Sequence, residues 1–230
     1  RGVDLPLREG GWQLLSASPV PYTPMSARPN AMDEDDMERI RRSFAAATER
    51  CVAAGADAVE LNFAQGYLVG SFLSPLTNRR TDDFGGSLDV RLRFPLSVLG
   101  AVRAAAGNHV VIVRLSVTDW ARGGVTPDEG VEIARRFGDA GADMIHVVAG
   151  QTVAGGQPEY RRAYLTSLAG RVRIEAGIPV LVGGYLTTPD EVSTIVGAGR
   201  ADLCLVEAID SELDSGISDE RLAHRVLAAR

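Results

Sequence analysis

Short apolar runs alternate with longer amphipathic segments over most of this chain. The runs occupy residues 59–63, 110–115, 144–148, 178–182 and 203–206. Their length and mostly apolar composition are typical of strands buried on both faces. The segments between them repeat apolar residues at helical spacing, as Val131, Ala134 and Phe137 do. Strands that alternate with helices predict a parallel α/β sheet.

Two helices carry the same start signal. Thr126 and Thr188 each open a Thr-Pro-Asp-Glu sequence. In both, the Thr suits the N-cap, the Pro suits the first helical position, and the Glu can close a capping box. Asp33 is expected to cap an earlier helix whose first turn is acidic, which suits the positive end of the helix dipole.

Further helical segments follow from the same spacing. The helix after Asp33 has a predicted inner stripe of Ile40, Phe44, Ala47 and Cys51. Helices are also predicted near residues 96–105 and 165–176, and residues 218–229 predict a final amphipathic helix. Residues 1–32 hold many of the prolines and show no period, so we expect an irregular arm there.

The composition excludes several classes of protein. The chain has 230 residues, is 45% hydrophobic and carries a net charge of −6, and no run of Lys or Arg suggests nucleic-acid binding. Its apolar runs are too short to span a membrane. Cys51 and Cys204 lack metal-site spacing and predict buried, reduced thiols in a cytoplasmic protein. The polar start at Arg1, without a Met, suggests a piece of a longer polypeptide or a trimmed terminus.

Residues 62–68 and 72–87 carry a family resemblance. The first reads Asn-Phe-Ala-Gln-Gly-Tyr-Leu, and the second reads Phe-Leu-Ser-Pro-Leu-Thr-Asn-Arg-Arg-Thr-Asp-Asp-Phe-Gly-Gly-Ser. This stretch resembles the old yellow enzymes, whose motif here is His-x-x-His/Asn-Gly-Tyr-Leu. Residues 14–22, 119–120 and 149–152 look most like the oxidoreductase half of bifunctional salicylyl-CoA hydroxylases and anthraniloyl-CoA monooxygenase/reductases.

The resemblance implies a (β/α)8 barrel of which this chain holds strands four to eight. Residues 1–32 would be the arm and residues 33–230 the partial FMN-oxidoreductase barrel. Five strands cannot close such a barrel, and an open sheet exposes its edges, so we expect a fragment or part of a larger protein. The implied partners are a small-molecule substrate and a flavin monooxygenase half in the same chain. A homo-oligomer is compatible with the resemblance.

The resemblance also implies catalytic residues. Asn62 and Gln65 replace the family's pair that bonds the substrate's oxygen, and both still offer an NH2 donor. Tyr67 matches the residue that gives a proton to the carbon beside the one that receives hydride. The structural alternative is that all three simply line the barrel mouth.

The implied cofactors are FMN and NAD(P)H. Arg114 matches the residue facing the flavin ring, with an internal salt bridge as its alternative. Gly183 and Gly184 match the phosphate-binding turn. Glu207 and Ala208 stand where the family has Gly-Arg, and losing a charged contact to phosphate costs about 1.5–3 kcal/mol.

Other charged residues favour structural roles. One loop contains several of them, and we expect it to be a salt-bridged scaffold rather than a substrate-binding loop: Arg79, Arg80, Asp82, Arg91 and Arg93. His146 lies inside a strand and predicts a satisfied structural histidine. His109 and His224 fit no triad or metal pattern, so no metal site is predicted.

Three functions follow from these observations. The first is an FMN-dependent NAD(P)H oxidoreductase that reduces an activated double bond, for example in a CoA-linked ring. The second is a degenerate barrel half that serves as scaffold or substrate-handling module beside a monooxygenase, favoured by the altered motif positions. The third, a flavin-free barrel enzyme that binds another phosphate ester, rests on the fold alone.

Overall fold

The computed structural model describes residues 5, 7–158 and 160–206, together with the backbone of residues 225–227. The chain enters through an irregular segment with a 3-10 turn at Leu7–Glu9. Two short strands follow, β1 (Leu15–Ser16) and β2 (Asn30–Ala31), which pair in parallel. The segment predicted to be an irregular arm therefore contains one small strand pair.

A single larger sheet forms the centre of the fold. Its strands lie side by side in chain order: β3 (Ala58–Phe63), β4 (Val110–Ser116), β5 (Met144–Val148), β6 (Val180–Val182), β7 (Leu203–Val206) and β8 (Arg225–Leu227). The first five run parallel, and β8 pairs antiparallel with β7. All five strands predicted from the apolar runs are present, and their parallel order is that of a partial (β/α) barrel.

Helices connect these strands. They are α1 (Glu34–Ala53), α2 (Gly70–Leu73), α3 (Leu88–Arg91), α4 (Arg93–Ala106), α5 (Pro127–Asp139), α6 (Thr166–Arg171) and α7 (Pro189–Gly197). The predicted helix at residues 165–176 is α6 followed by a π-helical turn, Val172–Ala176, which ends at Gly177 in the left-handed region. Within the described ranges no helix is both long and apolar enough to cross a lipid bilayer.

The predicted helix caps are confirmed. The Asp33 carboxylate accepts a hydrogen bond of 2.7 Å from the backbone N–H of Asp36. Thr126 and Thr188 accept from the backbone N–H three residues later, and the Glu at that position reaches back to the cap, so both capping boxes form. Four residues before the apolar part of a helix thus determine where it begins.

The two sides of the sheet differ in chemistry. Phe63 on β3 packs edge-to-face against Phe44 of α1 and Phe137 of α5, at centroid distances of 6.2 and 5.7 Å. Residues that share its side of the sheet are buried and apolar: Leu61, Val113, Ile145 and Val182. On the opposite side, strand register places Asn62, Arg114 and His146 in one row. The polar row is therefore separated from the helix-facing core.

The charged loop has the scaffold role predicted for it. The Arg80 guanidinium donates to the backbone oxygens of Ala17 at 3.0 Å and Met32 at 2.7 Å, and it also pairs with Asp82. Through these bonds it ties both ends of the segment 17–32 to the barrel. Buried Arg91 likewise bonds the Leu73 carbonyl and pairs with the Glu129 carboxylate at 2.9 Å.

Two predictions made for the helices are wrong. Cys51 is exposed, although Cys204 is buried. Met37 and Thr48 are the buried positions of α1, but its last turn is largely exposed and only Val52 there is half-buried, so Cys51 is uncovered although it follows the helical spacing.

The second concerns the chain's tail. Residues 225–227, predicted to be helical, form β8, where they bond to the free edge of β7. An unpaired strand edge offers backbone partners that outweigh a weak helical pattern. The remainder of the segment 218–229 lies outside the described residues.

Candidate functional site

The carboxyl ends of the parallel strands gather most of the residues singled out from the sequence. Asn62 near the end of β3 is in register with Arg114 of β4. Asn62 is exposed, and its side-chain oxygen accepts from the backbone N–H of Ala64 at 3.2 Å, which turns the chain at the strand end. Its NH2 group donates to no described residue and is free for a ligand.

Arg114 carries an unsatisfied polar atom. Its Nε is buried and has no hydrogen-bond partner in the described part of the chain. The next residue in the row, His146, does have a partner, since its Nδ1 lies 2.8 Å from a Glu60 carboxylate oxygen. His146 is therefore the satisfied structural histidine that was predicted, whereas Arg114 forms no salt bridge with any of the described residues. A buried donor without a partner costs about 1–3 kcal/mol, which indicates a place for a ligand acceptor.

Gln65 occupies a strained turn directly after β3. Its φ is 56°, in the left-handed region that residues with a side chain rarely adopt. The turn is held by the backbone N–H of Gln65, which donates to the Ser116 hydroxyl at 2.9 Å, and by the side chain, which donates to Gln151 at 3.0 Å. A Cβ on Gly66 would lie 2.8 Å from the Thr152 carbonyl oxygen, so only glycine lets these loops approach.

Tyr67 follows this turn, and its hydroxyl forms no hydrogen bond with the other predicted residues that the structure describes. Its side chain is 60% exposed, and its hydroxyl bonds to none of the described residues. The backbone is fixed, because the Tyr67 N–H donates to Ala64 at 3.1 Å and its carbonyl accepts from Ser71 at 2.7 Å. The structure thus places Tyr67 near Gln65 in the chain without joining the two side chains.

Gly183 and Gly184 form the turn after β6. Gly184 has a φ of 99°, and a Cβ there would lie 3.0 Å from the Tyr164 ring. The glycine is therefore required by both conformation and space. Nearby, hydrogen bonds from the backbone N–H groups of Thr187 and Thr188 hold the pKa of Glu191 below its usual value and outweigh the opposing effect of desolvation. Glu207 and Ala208 lie outside the described residues, so their replacement of Gly-Arg stays a prediction from the sequence.

Sequence reasoning missed an aromatic cluster on the loops that follow β4, β5 and β6. Its rings are Trp120, Tyr160, Tyr164 and Tyr185, with centroids 5.6 to 6.1 Å apart. Trp120, Tyr160 and Tyr185 are between 36% and 44% exposed. The available signal was that each aromatic follows a predicted strand, but their contact depends on how the loops fold.

Backbone strain is concentrated in the loops that follow the parallel strands. The described non-glycine residues with positive φ are Gln65, Trp120, Gln151, Ala163 and Tyr185. Every one follows the carboxyl end of a strand. Such conformations cost about 1–3 kcal/mol each and persist where surrounding contacts hold them, commonly at active sites.

Polar and aromatic side chains at the carboxyl ends of consecutive parallel strands define the catalytic face of a (β/α) barrel enzyme. The described residues contain no group of three or more His, Cys, Asp or Glu side chains able to hold a metal ion. The chain belongs to the NADH:flavin oxidoreductase / NADH oxidase family, whose pattern matches residues 15–207. Enzymes of this family use FMN with NADH or NADPH.

Individual relatives agree with this assignment. The chain is 34% identical over 203 residues to an NADH oxidase of Thermoanaerobacter brockii, covering 85% of this chain and 31% of the relative. It superposes on 2-naphthoyl-CoA reductase in complex with 2-naphthoyl-CoA with a TM-score of 0.76 and 28% identity, covering 83% of this chain and 30% of that one.

An old yellow enzyme homologue from Zymomonas mobilis shares the fold. The TM-score is 0.71 at 22% identity, and the match covers 88% of this chain and 59% of the homologue. The chain therefore spans between about a third and three-fifths of the length of these relatives. The predicted fold class, part of an old-yellow-enzyme barrel, is confirmed, as is the family.

Proposed function

We propose that this chain is the FMN-binding part of an NAD(P)H-dependent oxidoreductase that reduces an activated carbon–carbon double bond. The observation that carries the proposal is the buried Nε of Arg114, which has no partner among the described residues and lies on the side of the sheet that also bears Asn62. A cationic donor at the mouth of a barrel of this family fits the electron-rich edge of a flavin. FMN, when bound, supplies the two-electron link between NAD(P)H and the acceptor.

The residues of the chain have separate tasks in this proposal. Arg114 would hold the flavin ring, and the turn at Gly183 and Gly184 would hold the phosphate. Asn62 and Gln65 would donate hydrogen bonds to the substrate's carbonyl oxygen, so that negative charge developing there is stabilised. Tyr67, which is exposed and whose hydroxyl bonds to none of the described residues, would give the proton to the carbon beside the one that receives hydride.

The substrate class we propose is an aromatic or enoyl group joined to coenzyme A. Two observations support it. The chain is 28% identical to a reductase that was solved with 2-naphthoyl-CoA, and residues 14–22, 119–120 and 149–152 resemble the aromatic-CoA branch of the family. By the same resemblance we propose that the chain works in the cytoplasm within a longer protein that also carries a flavin monooxygenase half.

A second candidate is a barrel half that no longer catalyses reduction. It is favoured by the neutral pair Asn62 and Gln65, because a hydrogen bond between neutral groups contributes about 1 kcal/mol and one to a charged group about 1.5–3 kcal/mol. It is also favoured by Glu207 and Ala208, which offer no cation to a phosphate. This candidate predicts a folded protein that does not take up FMN.

The deciding experiment measures FMN uptake by the full-length protein. We expect a yellow protein that releases FMN on denaturation and oxidises NAD(P)H faster when an α,β-unsaturated ketone is added. Arg114→Met should weaken FMN binding by about ten- to a hundredfold, the worth of one charge-assisted hydrogen bond. Arg122→Met, at an exposed position with no described partner, is the matched control.

The candidates give opposite results. A colourless, folded protein that excludes added FMN refutes the reductase and supports the non-catalytic barrel half. Equal FMN affinity of the Arg114→Met and Arg122→Met variants shows that Arg114 does not hold the flavin.

A further inference from the structure

Three side chains at the barrel mouth form one continuous hydrogen-bonded chain. The Gln65 Nε2 donates to the Gln151 Oε1 at 3.0 Å, and the Gln151 Nε2 donates to the Tyr160 hydroxyl oxygen. These residues come from two loops and lie 86 and nine positions apart in sequence. No role was predicted for Gln151 or Tyr160 individually.

The direction of these hydrogen bonds determines which end of the Gln65 amide faces the barrel mouth. A carboxamide carries a donor at one end and an acceptor at the other, and rotation can exchange them. Because Gln151 presents its oxygen to Gln65, the NH2 end of Gln65 must face it. That NH2 group has a second hydrogen, which donates to no described residue. The Tyr160 hydroxyl accepts from the other end of Gln151 and so anchors the far end of this amide.

The backbone beneath this chain is fixed as well. Gln65 and Gln151 both have positive φ, 56° and 61°. The Ser116 hydroxyl accepts from the Gln65 N–H at 2.9 Å and lies 3.4 Å from the Gly150 carbonyl. The Gln151 N–H donates to the Gly156 carbonyl at 2.6 Å. Two strained residues held by separate anchors leave the amide groups little freedom, as pre-organisation of a donor requires.

We propose that Gln151 is a positioning residue that aims the second N–H of Gln65 at the carbonyl oxygen of the substrate, with Tyr160 anchoring the far end of Gln151. The proposal rests on the proposed function, in which Gln65 is the oxygen-binding amide. It adds that the neutral NH2 donor of Gln65, which stands where the family has His or Asn, can bind the substrate's oxygen only when the Gln65 amide is held in one orientation. Gln151 need not touch the substrate itself.

The test compares an isosteric pair of variants in the full-length protein. Gln151→Met removes both hydrogen bonds with little change of volume, and Gln157→Met makes the same change at an exposed residue of the same loop. With cyclohexenone as acceptor, Gln151→Met should lower kcat/KM by about fivefold, the worth of one neutral hydrogen bond. Reduction of ferricyanide, which has no carbonyl to bind, should be unchanged in both variants.

Two further variants separate positioning from a general structural role. Gln151→Glu keeps an acceptor facing Gln65 and should restore most of the cyclohexenone rate. In the Gln65→Met background, adding Gln151→Met should lower the rate no further, because the donor is already absent. An equal loss with ferricyanide, no rescue by Gln151→Glu, or additive losses in the double variant would overturn the proposal.

A readout without turnover keeps this inference distinct from the reductase activity. In urea unfolding, the combined Gln65→Met and Gln151→Met substitutions should lower the midpoint by less than the sum of the single shifts, since they break the same bond. Strict additivity refutes the bond whether or not the protein reduces anything. Coupling without reduction refutes the reductase function and, with it, the role assigned to Gln151.

Discussion

Arg80 offers a quantitative test of how the N-terminal segment is attached to the barrel. Its side chain is only 11% exposed, and its guanidinium donates to the carbonyl oxygens of buried Ala17 and Met32. Arg80→Met removes both donors while the methionine can still contact the Phe72 ring, which lies 5.9 Å from the guanidinium carbon. Two buried carbonyls are then left without a partner.

The cost can be worked from these contacts. An unsatisfied buried acceptor costs about 1–3 kcal/mol, so two of them cost about 2–6 kcal/mol. The ion pair with Asp82, a side chain that is 50% exposed, adds at most about 1 kcal/mol. Even the lower bound of 2 kcal/mol corresponds to about a thirtyfold change in the equilibrium for releasing the segment.

Hydrogen–deuterium exchange measures that release directly. The N–H of Asn30 bonds the Leu14 carbonyl at 2.8 Å, and the N–H of Met32 bonds the Ser16 carbonyl at 3.0 Å. Both amides should exchange at least about thirtyfold faster in Arg80→Met, because exchange requires the segment to open.

The control is Arg93→Met. That residue pairs with Asp83 at 3.2 Å, and the two side chains are 53% and 90% exposed, so the pair contributes at most about 1 kcal/mol. If exchange of the segment is no faster in Arg80→Met than in Arg93→Met, the two carbonyl bonds do not hold the segment and the reasoning fails.

Two other predictions concern stability. Gly66→Ala should lower the free energy of unfolding by about 1–2 kcal/mol through its φ of 68° alone, and the contact with Thr152 should add to this cost. Gly100→Ala in α4, where a Cβ meets nothing within 4 Å, should raise the free energy of unfolding by about 0.5–1 kcal/mol. Urea titration of both variants checks that the two changes have opposite signs. Burial opposes ionisation of Asp202, but hydrogen bonds from Arg173 and the Val180 N–H outweigh it and lower the pKa. The ionised Asp202 should therefore contribute fully to the free energy of unfolding above about pH 4, and this contribution should be lost as the pH falls through the lowered folded-state pKa. The difference in the free energy of unfolding between the wild type and Asp202→Asn should then become smaller in acid. A difference that becomes larger in acid would contradict the assignment.

Features encoded by neighbouring residues could be predicted from the sequence. The starts of α5 and α7 follow from a cap, a proline and a glutamate within four residues, and the five parallel strands follow from their apolar runs. Cys51 was placed wrongly because the last turn of α1 is largely exposed, and the spacing of apolar residues does not show where a helix stops being covered. The end of the chain was placed wrongly because the edge of β7, a distant element, decides its conformation.

The residues of the candidate site likewise include some that the sequence predicts and some that only the folded structure shows. Arg114 and Gln65 could be found because a charged or polar residue near the end of an apolar strand points to the barrel mouth. Gln151 and Tyr160 could not, because their bonds depend on loops whose backbone has positive φ at residues that ordinarily avoid it. No local pattern predicts a glutamine in a left-handed conformation, so a contact that depends on one is visible only in the folded chain.

The distribution of strain argues that the mouth is shaped for binding rather than left over from a degenerate barrel. Strained residues cost about 1–3 kcal/mol each and persist only where several contacts hold them. Gln65 is held through both its backbone and its side chain, and Gln151 has a bond on its N–H and on each end of its amide. A loop without a binding role could relax by replacing either residue with glycine, as the turn at Gly184 does. Glutamine at both strained positions is explained if the amide groups themselves are needed, which favours the reductase over the scaffold and makes Gln151 the residue to change first.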